Sequence, residues 1–424
     1  MDKELSEDEI REIRKRHFIK GKSCQGIGCG YGYAANIKTD LCIVYEQCKK
    51  EFNKMDKIPF AKPMISSEDW TILAHEMQLT DRLTDGEWNG KFAEKFGEFI
   101  GAGLCLPVSS CMAALHLSYM ALGIGPGDEV ICPAMSHVAT AHAIELTGAT
   151  PVFVDCDSNG NIHMGEAEDA VTRKTKAITL VHYNGTPCDM KGIERLMKSY
   201  GLRVIEDCAL ALGARYYGDH VGTFDIGCFS FYPSKHITTG EGGMFVCRDP
   251  QLYQKAKQII SFGKSGGAYN YDMIRLGTNY RMSEMQALLG ILQMERVNDF
   301  ISSRLVNTRR YREELTSPRN FILSPWPSDS IKESPYAFML RDARDREGLM
   351  EALTEARIGF SVYYPHPIPR LKYYRDKYGY APVMYPDAIK IADESIALPV
   401  GPHLSERDLS RVIDTVKGFY KGRG

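Results

Sequence analysis

From Ile58 onward the chain alternates between two hydrophobic periods. Apolar residues recurring every three to four positions predict helices over Ser67 to Leu79, Lys91 to Ile100, Ser109 to Leu122, Val138 to Thr147, Gly165 to Val171 and Met190 to Tyr200. Between them lie short apolar runs: Cys105 to Val108, Glu129 to Pro133, Pro151 to Asp155, Thr175 to Val181 and Arg203 to Glu206. Runs of that length, set off by turn residues, predict strands. Strands separated by helices predict a largely parallel sheet covered on both faces, an α/β fold.

The pattern then changes. Cys228-Phe-Ser-Phe-Tyr232 alternates and is aromatic, as a strand would be, and Met244 to Cys247 reads as a second strand after a tight glycine turn. One long amphipathic helix is predicted over Ser283 to Arg310, with Met285, Leu288, Leu289, Leu292 and Met294 on its apolar side. It joins a large domain to a smaller C-terminal α+β part. That part holds a strand at Tyr336 to Leu340, a helix at Arg346 to Arg357, a proline-rich loop from Tyr364 to Pro369 and a last helix at Glu406 to Tyr420. The expected division is an N-terminal arm over 1–57, a large domain over 58–300 and a small domain over 301–424.

Composition narrows the class. The 424 residues are 44% hydrophobic and 25% charged, ordinary for a globular protein. A net charge of -2 supplies no field for nucleic acid or an anionic membrane surface, so neither is an expected partner. No apolar run approaches the roughly 18–20 residues that span a bilayer. The polar, acidic N-terminus lacks the basic and apolar regions of a signal peptide, so the expected location is the cytoplasm. Of the 12 cysteines, Cys24, Cys29, Cys42 and Cys48 fall in the arm without a Cys-x-x-Cys pair or a nearby histidine, so no metal is expected. Within the arm, Ser6 to His17 reads as a short helix. Gly26 to Tyr33 imitates a dinucleotide motif but lacks a preceding strand and a following helix.

The candidate chemistry centres on Lys235, set between two apolar strands and beside three glycines. A desolvated lysine can lose its proton and condense with an aldehyde; a solvated loop lysine would do neither. Asp207 ends the run Val204-Ile-Glu-Asp207, where a carboxylate can hold a pyridinium nitrogen or merely cap the next helix. Ser109-Ser110 precedes a helix and can cradle a phosphate or serve as a plain cap. Ser230, five residues before Lys235, could bond the same phosphate. Loops carrying Tyr183, Asn184, Arg281, Tyr364 and His366 are the expected lining of a substrate pocket.

Six segments together carry a family resemblance: Gly125-Pro-Gly-Asp-Glu-Val-Ile131, Ala149-Thr-Pro-Val-Phe-Val-Asp155, Val204-Ile-Glu-Asp207, Ser230-Phe-Tyr-Pro-Ser-Lys235, Thr239-Gly-Glu-Gly-Gly243 and Gly277-Thr-Asn-Tyr-Arg281. From Ile58 to its C-terminus the chain resembles the DegT-type sugar aminotransferases, enzymes of pyridoxal 5'-phosphate (PLP) with the aspartate-aminotransferase fold (PLP-dependent transferase fold type I). The resemblance implies that Lys235 carries the covalent link to PLP and that Asp207 pairs with the pyridine nitrogen. It implies that Ser230 and the Ser110-Cys111-Met112 turn hold the phosphate, and that His137 stacks on the ring. It further implies that Asn279 reaches across a homodimer interface, and that the substrates are an amino donor (glutamate or glutamine) and a nucleotide-linked keto sugar. Three positions depart from the family pattern. Cys111-Met112 replaces Gly-Thr, and Leu210 replaces a Gln or His that bonds the cofactor's phenolic oxygen. A related dehydratase branch has histidine in place of the lysine; Lys235 therefore favours transamination, with dehydration as the alternative and a non-catalytic PLP-binding sensor as a third.

Overall fold

A computed structural model describes residues 56–265, 271–315, 321–322, 330–342, 345–381 and 383–421. The expected arm up to residue 55, with its helix Ser6 to His17, its glycine run and its four cysteines, lies outside the described residues.

Seven strands form the central sheet: β1 (Leu104–Val108), β2 (Glu129–Pro133), β3 (Thr150–Val154), β4 (Thr175–Val181), β5 (Arg203–Asp207), β6 (Ile226–Ser230) and β7 (Gly243–Cys247). Their spatial order is β1-β7-β6-β5-β4-β2-β3. Strands β2 to β6 pair in parallel, while β7 runs antiparallel between β6 and β1. Successive residues of one strand feed opposite faces, and both faces are apolar. On β5, Val204 joins one core and Ile205 the other; on β6, Cys228 and Phe229 divide the same way. That is why these strands read as continuous apolar runs.

Helices α1 (Ser67–Leu79), α2 (Glu87–Ile100), α3 (Cys111–Leu122), α4 (Val138–Glu145), α5 (Met164–Asp169), α6 (Met190–Tyr200) and α7 (Pro250–Ile259) alternate with the strands. One face is covered by α3, α4 and α7, through residues such as Leu115, Ile144 and Leu252. The other is covered by α6, and by α2, whose Phe92 and Phe96 meet Phe229 and Phe231 of the β6 segment. The strand expected at Cys228 to Tyr232 begins two residues earlier and stops at Ser230.

The single helix expected over Ser283 to Arg310 is two: α8 (Glu284–Met294) and α9 (Val297–Leu315). The break has a tertiary cause that periodicity does not encode. Gln293 and Arg296 both donate to the Met64 carbonyl, and Arg296 also pairs with Asp69 of α1, so the turn is anchored to the chain entering α1. Beyond the break, α9 carries Tyr311 and Leu315 into a separate apolar cluster.

That cluster belongs to a three-stranded antiparallel sheet of β8 (Phe321–Ile322), β9 (Phe338–Arg341) and β10 (Ser395–Leu398). With it are helices α10 (Arg346–Glu355) and α13 (Glu406–Lys421), whereas α11 (Lys372–Tyr378) and α12 (Pro386–Glu394) send Tyr374 and Ile391 into the core of the large sheet. Ile58 packs in this cluster and bridges to Ile358, so the start of the described chain fastens to the C-terminal part. Arg312 of α9 forms a two-pronged pair with Glu333, both residues being 3% exposed. Removing one member of such a pair leaves a desolvated charge, so Glu333→Ala is expected to cost about 3 kcal/mol of stability in denaturant titration. A loss within the ordinary surface range, below roughly 0.5 kcal/mol, would refute that weight.

Candidate active site

Parallel strands all deliver their carboxyl ends to one edge of the sheet, where ligands of open α/β folds bind. Asp207 is the last residue of β5 and sits there with 6% exposure. A buried carboxylate needs donors. Oδ2 accepts from the Thr140 hydroxyl at 2.9 Å, and Oδ1 accepts from the Ala209 N–H at 3.1 Å and from the Cys111 thiol at 3.8 Å. Thr140 lies in α4 and shares its hydroxyl with Ser136 at 2.7 Å. The carboxylate is therefore aimed by groups from α3, α4 and its own turn.

Lys235 follows β6 in a closed turn, its N–H bonded to the Tyr232 carbonyl at 2.9 Å. Its Nζ stands 4.7 Å from the centre of the Tyr336 ring. Burial lowers the amine's pKa to about 8; Asp207 opposes the shift and Arg304 adds to it. Near neutral pH this lysine is thus poised between its two protonation states.

An anion seat lies close by. Ser110 caps α3, its hydroxyl accepting from Ala113 N at 3.0 Å. The first-turn N–H groups of Cys111 and Met112 have no carbonyl within the helix to bond, and the helix dipole adds positive potential there. Gly243, which opens β7, passes directly against this turn: a Cβ on it would lie 2.5 Å from the Ser110 carbonyl carbon and 2.6 Å from Cys111 N. Only glycine allows that approach. Ser230 pairs with Gly243 across the sheet, so both serines flank one corner. Met112 is half-buried and packs on the core beside this turn, while Cys111 is buried with its thiol also 3.5 Å from the Cys228 carbonyl.

His137 caps α4, its Nδ1 accepting from Ala139 N at 3.2 Å. Solvent reaches the residue, yet protein crowding lowers the imidazole pKa; Asp207 opposes the lowering and Lys235 adds to it. The ring thus lies within electrostatic reach of both groups. Tyr364 stands beside it, ring centres 5.7 Å apart. His366 is exposed on the same proline-rich loop.

Three other residues expected in the substrate pocket are engaged inside the protein. Tyr183 is 1% exposed and donates its hydroxyl to the Tyr363 carbonyl. Asn184, at φ 52, clamps Ala337 through both ends of its amide, at 2.9 and 3.0 Å. Asn184 braces the end of β4 against the segment leading into β9, and Tyr183 braces it against the loop that carries Tyr363. Arg281 lies over the Phe262 ring and 3.5 Å from both Asp85 and Ser261. Asn279 is exposed, in the segment that pairs with Ser261. Leu210 is buried and apolar, so it cannot hydrogen-bond a phenolic oxygen.

Four residues escaped the sequence reading. Thr140, Tyr336 and Arg304 look like ordinary helix, strand or linker positions until the fold brings them to Asp207 and Lys235. Glu206 is the fourth. It accepts from His182 Nε2 at 3.0 Å and from the N–H groups of Gly222 and Phe224 at 2.7 and 2.9 Å. Together with Cys208 these side chains offer metal-ligand atoms within 4.8 Å of one another. However, both carboxylate oxygens are taken, and His182 Nδ1 accepts from Cys188 N at 3.1 Å, so the group acts as a brace behind Asp207.

A group combining an aldehyde, a basic ring nitrogen and a phosphate fits these residues: a semi-neutral amine, an oriented buried carboxylate and a helix-start anion seat converge at one sheet edge. The comparisons with known proteins agree. Residues 66–417 match the model of the DegT/DnrJ/EryC1/StrS aminotransferase family. The chain is 36% identical over 376 residues to GDP-perosamine synthase of Escherichia coli O157:H7, covering 87% of this chain and 100% of that protein. Among solved structures it is similar to DesV of S. venezuelae, with TM-score 0.80 and 30% identity over 85% of this chain and 98% of that one. Spr1654 of Streptococcus pneumoniae, solved in PLP and PMP forms, matches at TM-scores 0.81 and 0.82 with 26% identity, over 87% of this chain and 99% and 98% of those. The family match spans nearly all of the described fold and the site supplies the groups its chemistry uses, so this chain is a PLP-dependent sugar aminotransferase and belongs to the DegT/DnrJ/EryC1/StrS aminotransferase family.

Proposed function

We propose that this enzyme transfers an amino group from glutamate or glutamine to a keto sugar carried on a nucleotide, in the making of amino sugars for surface polysaccharide or natural products. The observation that carries the reading is the placement of the Lys235 amine, desolvated against the Tyr336 ring, beside Asp207 at the carboxyl edge of the sheet. The name of the GDP-perosamine relative supports a nucleotide-linked sugar. Lys235 stands where the dehydratase branch carries histidine, which favours transamination; His236 beside it does not take that histidine's place. His236 is buried, with Nε2 bonded to the Ser334 carbonyl at 3.1 Å, so Lys235 is the basic residue of this loop left for chemistry.

Bound PLP supplies an electron sink for negative charge at the donor's α-carbon. In this reading the chain's residues do the rest. Lys235 would carry the covalent link and, once freed, would take the α-proton at Nζ and give it up again within the same half-reaction; a pKa of about 8 suits both tasks. Asp207, aimed by Thr140, would hold the proton on the ring nitrogen. Ser110, Ser230 and the first-turn N–H groups at Cys111 and Met112 would hold the phosphate, and His137 would cover one ring face. Asn279, exposed at the end of its segment, would serve the site of a second copy in a homodimer. Tyr364 and His366 remain the residues best placed to meet the sugar. The large domain would comprise residues 58–300 and the small one 301–424. Among the described residues no helix is long and apolar enough to cross a membrane; a cytoplasmic location is part of this proposal.

The test is the visible absorption spectrum of the PLP-loaded protein before and after L-glutamate, then L-glutamine. The expected result is conversion of the lysine-linked cofactor band to the PMP form by one of them. If neither donor converts the band, the proposed amino donors are wrong.

A further inference from the structure

Arg304 lies in α9 with 5% exposure. Its hydrogen bonds reach three carbonyl oxygens and, among the described residues, no carboxylate: Nη1 donates to Tyr336 O at 2.9 Å, and Nη2 to Ser234 O at 3.4 Å and Lys235 O at 3.3 Å. Its Nε finds no acceptor. A buried cation without a counter-ion is costly, and burial draws its own pKa down to about 10. Plain packing would be served better by an apolar side chain of the same length.

The three carbonyls come from two segments that are remote in sequence. Ser234 and Lys235 form the lysine turn, while Tyr336 precedes β9 in the C-terminal part. Tyr336 is itself fixed at its other end, its hydroxyl bonded to Ser234 Oγ at 2.7 Å and to the Tyr363 hydroxyl at 2.9 Å. The same tyrosine presents its ring to Lys235 Nζ. One guanidinium therefore ties together the backbone that carries the amine and the ring on which the amine rests.

Resting on the reading of Lys235 as the reacting amine, we propose that Arg304 is a positioning residue for it. By bridging Ser234, Lys235 and Tyr336, Arg304 sets the amine over the Tyr336 ring and places a fixed positive charge beside it. The planar fork is needed for this, because a lysine ammonium is a compact point donor on a flexible stem. The groups that act on the Lys235 amine come from every neighbouring element. Asp207 of β5 and the Tyr336 ring favour the ammonium; Arg304 of α9 opposes it. Cys111 of α3 is held protonated by burial and adds no charge near neutral pH. His137 of α4 and the adjoining His236 have lowered pKa values and stay neutral there.

The test uses full-length, PLP-loaded protein and two readouts other than turnover: the pH midpoint of the lysine-linked cofactor band, and the rate of cofactor loss on dilution. Arg304→Met removes the charge and is expected to raise the midpoint by ~1 pH unit. Arg304→Lys keeps the charge but not the fork. Its midpoint should stay near that of the parent, while the cofactor leaves on the order of 10-fold faster. An unmoved midpoint in Arg304→Met overturns the electrostatic part. Should Arg304→Met not fold, Arg304→Lys decides, and cofactor retention equal to the parent's overturns the bridging. A parent protein with no lysine-linked band, checked against Lys235→Ala, would instead remove the underlying reading of Lys235.

Discussion

Lys235→Ala is expected to abolish turnover, lowering kcat by at least about 10⁴-fold, because one amine serves as covalent anchor and as proton carrier. The measurement is kcat with the working amino donor, with folding checked by thermal unfolding. The fold should survive. In the native state the Lys235 pKa is lowered to about 8, below the ordinary lysine value it regains on unfolding. Between those two values the unfolded chain binds more protons at this site, so stability of the cofactor-free protein rises with pH there; below about 8 this contribution is lost. Lys235→Ala should lack that rise while melting no earlier than the parent near neutral pH. Near-normal turnover in the variant would remove the mechanism; partial rescue by a small added amine would strengthen it.

Asp207→Ala is expected to lower kcat by about 10²–10³-fold, the scale of removing one preorganised charge-stabilising group. Its signature lies in the pH profile. The Asp207 carboxylate favours the Lys235 ammonium, so its removal should move the limb governed by that amine to lower pH. Arg304→Met should move it the opposite way. A kcat loss without any displacement of that limb would mean that Asp207 is not electrostatically coupled to the reacting amine. Thr140→Val keeps the side chain's shape but removes the 2.9 Å donor, and should reproduce a small part of the Asp207 loss.

Much of the sheet was legible because its signal is local. A strand buried on both faces reads as a short continuous apolar run and a helix repeats every three to four residues, so β2 to β5 and the helices between them follow from the order of apolar positions alone. Lys235 and Asp207 were legible for another reason: each lies beside a strand end, and small or glycine residues crowd the turn that follows. The α8–α9 break was not, because both halves keep a helical period and the turn depends on Met64 and Asp69, more than 220 positions away in the chain. Tyr183 and Asn184 read as polar loop residues, since nothing local reveals that Tyr363 and Ala337 will come to meet them.

Taken alone, the sequence determined the alternating α/β order, the family and the two residues around which its chemistry turns. The tertiary structure decided which groups hold them. Thr140 reaches Asp207 across 67 positions and Arg304 reaches Lys235 across 69, so neither contact leaves a periodic trace. Hydrogen bonding and desolvation act through distance in space, and only the folded chain brings a buried guanidinium, an aromatic face and a carboxylate around one amine.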